Sequence, residues 1–385
     1  MISTMKVRMK EMSMMRLTIS QILIKKREEK AITQDVLAKF IGVSKASISK
    51  WETGKTYPDI TLLPKLASFY NITIDELIGY APQLTKDEIK KQYHELATKF
   101  SKQDFDLVYE ESQSIIQKYY ACFPFLLQMG VLYLNHYMLA PTEEKQQAIL
   151  EETAQLFVRI KQESDDVWLN KQANSLQAVI YLLLKKPEEV LSLLGDTLRP
   201  AVGDEIVLSN AFQMMGDVEQ AKRTLQVNMY QSLSSLAGTA HSYMLLNIDD
   251  QEKFEETILR MEGITSIFGL KELHPNIVLQ FYYAAAQGYA MQGNREKTLY
   301  WLERYLGVCT SNIFPFTLHG DNFFTLIDEW LENLDLGINA VRDDEVIKES
   351  MLQSVCAQPV FGFIQEDPLY KLLVENLKFS LGGKK

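Results

Sequence analysis

The sequence predicts an all-α chain, a five-helix amino-terminal domain followed by an array of paired helices. Three observations lead there. Apolar residues recur three and four apart through most of the chain, the spacing of an amphipathic helix. Residues that cap helix starts stand before such runs at Thr33, Ser44, Asp59, Thr73 and Thr85. Short polar or glycine turns interrupt the carboxyl-terminal part at intervals close to one helical pair.

Residues 1–15 are expected to form a frayed arm. They carry six methionines, which leave the true start codon open, and no continuous apolar run of the kind a secretory signal needs. Domain 16–80 opens with a helix from Ile19 to about Lys30. Thr33 caps a second helix, Gln34 to Phe40, with Val36, Leu37 and Phe40 expected to point inward. Gly42 ends it, supplying the positive φ of a helix terminus. Ser44 caps a third helix, Lys45 to Glu52, and Asp59 caps a fourth that runs through Leu66 and Ala67 to Tyr70. Thr73 and Glu76 form a capping box for the fifth. Residues 81–84 read as a linker, and Thr85 with Glu88 restarts helix in domain 85–385.

Two motifs compete between Gly42 and Ile60. Thr53-Gly54-Lys55-Thr56 ends like a phosphate-binding loop, but that motif needs a glycine where Ser49 stands, and Tyr57-Pro58 stops the helix that should follow. The spacing of Gln34, Gly42, Val43, Ile48 and Trp51 fits a helix, a tight turn and a second helix instead. Val43, Ile48 and Trp51 would pin the third helix inward. Lys45, Ala46, Ser49 and Lys50 would then face outward, on the side able to enter a DNA major groove.

Residues 17–80 resemble the Cro/repressor-type (XRE) helix-turn-helix family. The matching motifs are Thr33-Gln-Asp-Val-Leu-Ala38, Gly42-Val-Ser44, Ile48-Ser-Lys-Trp-Glu-Thr-Gly-Lys55, Pro58-Asp59, Leu66-Ala67 and Ile74-Asp-Glu-Leu-Ile78. The resemblance implies that Gln34 contacts backbone or bases, and that Lys45, Ala46 and Lys50 face base edges. It places Ser44, Ser47, Ser49, Lys55 and Thr56 near phosphates. Lys45 and Ala46 stand where phage repressors of this family carry amides, so phage operators do not carry over.

In domain 85–385 the turn markers at 186, 216, 250 and 293 are spaced 30, 34 and 43, bracketing the tetratricopeptide period. A further helical pair is expected over 104–139, and Pro359 to Leu373 resembles a terminal helix that closes such an array. This half resembles irregular tetratricopeptide (TPR) repeats, and the two halves together are similar to peptide-sensing bacterial regulators. If Gly216 and Gly293 mark equivalent turns, Asn210, Gln213 and Gln287, with Gln280 and Tyr283, would line a concave face. Amides there suit a peptide backbone, because each can donate and accept. The aromatic runs Lys118–Phe125 and Phe314–Phe316 are expected in the core between repeats rather than in a ligand cage.

The net charge of −10 is divided unevenly: residues 1–56 hold twelve Lys/Arg against five Asp/Glu, and the remainder 28 against 45. A basic amino end on an acidic body suits an anionic partner docking at one end only. Cys122, Cys309 and Cys356 lie far apart, and five histidines show no i, i+4 pairing, so no metal, cofactor or catalytic residue is predicted. The cysteines read as buried hydrophobes in a reducing cytoplasm, with no membrane partner. These readings converge on a transcriptional regulator and not an enzyme. It is expected to bind a two-half-site, double-stranded operator as a homodimer, with helical repeats for dimerisation and sensing. A peptide-responsive switch and a scaffold that docks a partner protein are the alternatives.

Overall fold

The computed structural model describes residues 19–80, 83–198, 203–311 and 313–382; the expected arm and the Ala81-Pro82 part of the linker lie outside them. The chain forms two compact units, one of residues up to 84 together with 118–122, the other of 85–117 and 123–385.

The first unit holds helices α1 (19–29), α2 (Gln34–Ile41), α3 (Lys45–Glu52), α4 (Leu63–Tyr70) and α5 (Ile74–Ile78). The expected caps form. Thr33 accepts from the amide of Val36, Ser44 from that of Ser47, and the Thr73–Glu76 box is reciprocal. Gly42 ends α2 at φ +88°. Asp59 caps a 3-10 turn, Ile60–Leu62, that precedes α4, rather than α4 itself. Leu23, Leu37, Ile48, Leu66 and Leu77 are almost wholly buried and make the core, each contributing about 1.5–3 kcal/mol relative to exposure.

The inward face of α2 is Leu37, Ala38 and Ile41. Val36 and Phe40, expected inside, are half exposed. The reason is helical phase: positions 36 and 40 lie one residue behind 37 and 41, and so fall to one side of the buried stripe. The Phe40 ring rests on Phe69 instead, centroids 4.4 Å apart. Arg27 of α1 clamps the end of α3, its Nε donating to Glu52 Oε1 at 2.7 Å and its Nη2 to Oε2 at 3.2 Å. The Glu52 side chain is only 4% exposed, so this pair fixes register in a dry site.

The second unit is helical from α6 (Lys86–Lys102), α7 (Phe105–Lys118) and α8 (Phe123–His136) through α9 (Glu143–Glu163), α10 (Val167–Leu183) and α11 (Pro187–Leu194). It continues with α12 (Asp204–Met214), α13 (Val218–Leu246), α14 (Gln251–Ile267), α15 (Leu270–Leu273), α16 (Pro275–Met291) and α17 (Arg295–Cys309). The helices α18 (Asp328–Glu332), α19 (Asp344–Cys356) and α20 (Pro368–Ser380) complete it. Among the described residues there is no strand, only one isolated bridge between Thr317 and Asn339.

The expected pair over 104–139 is α7 and α8 with a 3-10 turn at Tyr137–Leu139. Gly216 and Gly293 turn with positive φ, +81° and +70°, and Lys185 does the same at +57°. Asp250 departs from that pattern: it caps α14 after a turn closed by its own amide on the Asn247 carbonyl. The tail is a 3-10 turn, Pro359–Ile364, followed by α20, which packs on α17. It closes the array with Phe361, Ile364, Tyr370 and Leu377 buried.

Three expectations need correcting. Among the described residues of 311–343, where mostly helix was expected, only the short α18 forms. Of the aromatic runs, Phe125 is core, but Tyr120 is exposed and Phe316 lines a cleft. Cys122 and Cys309 are buried, whereas Cys356 is only half-buried, and all three are free.

Candidate nucleic-acid interface and ligand cleft

In the first unit, burial of Ile48 and Trp51 fixes which side of α3 is left over. Lys45, Ala46 and Lys50 are exposed on that side, and Ser49 is half-buried beside them. The chain then winds back over the end of α3. The amide of Lys55 donates to the Lys50 carbonyl at 2.9 Å and that of Thr56 at 3.3 Å. Lys50, Lys55 and Thr56 are thereby brought together with their side chains exposed.

The remaining predicted residues are engaged within the unit. Gln34 donates to Glu52 Oε2 at 2.8 Å, so the Arg27–Glu52 pair orients its amide at the start of α2. Hydrogen bonding to Glu52 holds the Arg27 guanidinium above its ordinary pKa. The hydroxyls of Ser44 and Ser47 lie 2.9 Å apart, at the N-terminus of α3. Lys45 Nζ lies 2.7 Å from Asp35 Oδ2, both side chains being about 60% exposed. Such an exposed pair contributes about 0–1 kcal/mol. Glu52 and Asp35 were missed by sequence reasoning as organisers of the face. Helical spacing could have paired Asp35 with Lys45 across the turn, but the approach of Arg27 to Glu52 is tertiary.

In the second unit, α16, α19 and the segment 316–342 enclose a cleft of about 530 Å³. Of the five predicted ligand residues, Gln280 and Tyr283 line it. Asn210, Gln213 and Gln287 are not among its lining residues. Asn210 and Gln213 stand exposed on α12, and Gln287 is half-buried on α16 beyond the cleft. Burial pushes the Tyr283 phenol up to about 12, so it is neutral and can donate. Asn135, His274, Asn276 and Arg342 also line the cleft and were not predicted. Burial holds the His274 imidazole below its ordinary pKa. Only Arg342 has a sequence signal, the break in helical periodicity over 311–343; Asn135, His274 and Asn276 have none.

Residues 23–77 match the family model described as Helix-turn-helix. The amino-terminal domain is a helix-turn-helix domain. Over 66 residues it is 39% identical to the HTH-type transcriptional activator BcrR of Enterococcus faecalis, covering 17% of this chain and 32% of that protein. Over 68 residues it is 35% identical to the SPbeta prophage-derived uncharacterized HTH-type transcriptional regulator YonR of Bacillus subtilis, covering 17% and 63%. The chain therefore spans about a third of one curated relative and under two thirds of the other. Both likenesses are confined to the length of the helix-turn-helix domain.

Two solved structures are similar over most of the chain. Bacillus thuringiensis PlcR, in complex with the peptide PapR7 and DNA, is 14% identical with a TM-score of 0.29, covering 76% of this chain and 94% of that one. The apo form of the competence regulator ComR from Streptococcus vestibularis is 12% identical with a TM-score of 0.24, covering 83% and 99%. At such scores neither likeness bears on what this chain does. Among the described residues no group of His, Cys, Asp and Glu could hold a metal ion, and no helix is long and apolar enough to cross a membrane.

Proposed function

We infer that the chain is a sequence-specific, DNA-binding transcriptional regulator of the cytoplasm, acting by equilibrium binding rather than by chemistry. The observation that carries this reading is the outward face of α3, where Ala46, Ser49 and Lys50 meet Lys55 and Thr56 on a buried frame. Small and polar side chains there allow close approach to base edges, and lysines meet phosphates. Lys45 exchanges Asp35 for the nucleic acid. A single small domain offers little contact area, so two copies on two half-sites are expected.

The test is selection of bound duplexes by the full chain, followed by titration of the selected site at several salt concentrations. With about six phosphates neutralised, log K against log[salt] falls with a slope of about −5. Lys50→Ala costs about 1–3 kcal/mol and blurs preference at particular base positions, whereas Lys55→Ala weakens all sequences about equally. Salt-independent binding, or the same loss of preference from both substitutions, would refute the assignment of α3.

The cleft favours a second reading alongside the first. Its amides, among them Asn135, Asn276, Gln280 and Asn339, can each donate and accept, which suits a peptide backbone. A volume of about 530 Å³ lies in the range of sites that enclose small ligands. On this reading the second unit senses a short peptide, besides carrying the dimer contacts.

A further inference from the structure

Arg342 is the only Arg, Lys, Asp or Glu among the residues that line the cleft. Its Nε is closed off from water and has no hydrogen-bond partner, and no acid pairs with it among the described residues. The carboxylate next to it in the chain, Asp343, is taken up as the N-cap of α19, accepting from the amide of Glu345 at 3.1 Å. The other ionisable groups near it are the phenols of Tyr93 and Tyr137 and the His136 imidazole, and burial holds the Tyr93 phenol above and the His136 imidazole below their ordinary pKa. Burial lowers the pKa of Arg342, but a guanidinium remains charged throughout the accessible range. A half-buried cation with no acid hydrogen-bonded to it is costly, so the fold has retained a positive charge at the cleft wall without pairing it from within. His274, also in the lining, leaves Nδ1 without a partner.

One cation calls for a monoanion. A phosphate dianion would need more positive charge than this wall carries. A carboxylate matches both the charge and the shape, because the two terminal Nη–H groups of a guanidinium can hold its two oxygens side by side. Leu279, Phe316 and Met351 supply apolar wall for the rest of a ligand, and Gln280 and Asn276 supply amides. We propose that the cleft binds a short ligand by its carboxylate, seated on the guanidinium of Arg342. The inference rests on the sensing reading of the second unit and names the chemical group that unit recognises. The carboxylate has two sources, the free end of a peptide and a small organic acid.

The test uses the full chain, without DNA. Calorimetry compares a library of N-acetylated apolar pentapeptides made as free acids with the same library made as carboxamides, and N-acetyl-leucine with its amide. The acids bind at least tenfold more tightly than the amides, and only they shift the ¹⁵N resonance of Arg342 Nε. Arg342→Met reduces the acids to the level of the amides, and Arg342→Lys keeps part of the difference. Should Arg342→Met lose its helical circular dichroism, the acid-against-amide ratio and the Nε resonance of the unaltered chain decide the matter. N-acetyl-leucine binding as tightly as the best peptide supports the proposal with a small acid as the source, and binding by peptide acids alone supports it with a chain terminus. Equal binding of acids and amides overturns the proposal and leaves the sensing reading standing. No binding by any member up to millimolar concentration overturns both.

Discussion

Helices α12 and α16 end alike and live differently. Before Gly216, amides of Met215, Gly216 and Asp217 donate to the carbonyls of Ala211, Gln213 and Phe212. Before Gly293, amides of Gln292, Gly293 and Asn294 donate to those of Gly288, Ala290 and Tyr289, at the same offsets. Asp217 and Asn294 then cap the helices that follow. Yet α16 buries side chains from Ile277 to Ala290 on every face but the stripe of Asn276, Gln280, Tyr283 and Gln287, whereas α12 buries only Ser209. The turn is a local agreement among a glycine, a cap and three carbonyls. What the preceding helix exposes depends on how many neighbours surround it, and α16 is packed against α13, α14, α15 and α17.

Matched substitutions test that contrast, and the largest effect is expected at the aromatic one residue nearer the turn than Gly288. Tyr289 is buried, set edge-on to Phe254 with centroids 5.0 Å apart. Tyr289→Ala is expected to cost about 3–5 kcal/mol. Its counterpart Phe212 is only half-buried, and Phe212→Ala should cost about 1 kcal/mol. Urea unfolding followed by circular dichroism reads both; equal costs would mean that α12 is as enclosed as α16.

The next pair is sharper because it adds atoms instead of removing them. A Cβ on Gly288 would stand 2.4 Å from the Phe254 ring. Gly288→Ala should therefore destabilise by about 1–3 kcal/mol, despite the better helix propensity of alanine. The equivalent position on α12, Ala211, is exposed, and Ala211→Leu should change stability by less than about 0.5 kcal/mol. A stabilising Gly288→Ala would show that the close approach to Phe254 is relieved at no cost.

The same contrast explains what could be read ahead of the structure. Thr33, Gly42, Ser44 and Thr73 declare their roles within four residues, so the amino-terminal helices and the outward side of α3 were legible. The errors at Val36 and Phe40 were errors of phase by one residue, which a helix of eight residues tolerates in either reading. The turns at Gly216 and Gly293 were legible for the same local reason. The cleft was not. It gathers residues from Asn135 to Ser354, and seven of its eighteen lining residues come from a stretch without periodicity. A lone Arg342 between Asn339 and Asp344 reads as surface until the fold surrounds it.

The smallest expected effects bear on the ligand residues, which the equivalence of the two turns placed together. Counting back from Gly216 and Gly293 puts Asn210 opposite Gln287 and Gln213 opposite Ala290. Local equivalence does not make these positions neighbours of the cleft: Ala290 is buried, Asn210 and Gln213 are exposed, and Gln287 lies outside the lining. Gln280, a further two turns back on α16, is in it. A ligand in the cleft can therefore gain a hydrogen bond from Gln280 and none from the others. One such bond contributes about 0.5–1.5 kcal/mol net, so Gln280→Ala should weaken a cleft ligand by about three- to tenfold. Asn210→Ala, Gln213→Ala and Gln287→Ala should each leave its affinity within about twofold. Calorimetry with any carboxylate that binds the unaltered chain makes the comparison. A larger loss at Asn210 or Gln287 than at Gln280 would move the binding surface to the exposed side of α12, and the shared turn geometry would then be a guide to function after all.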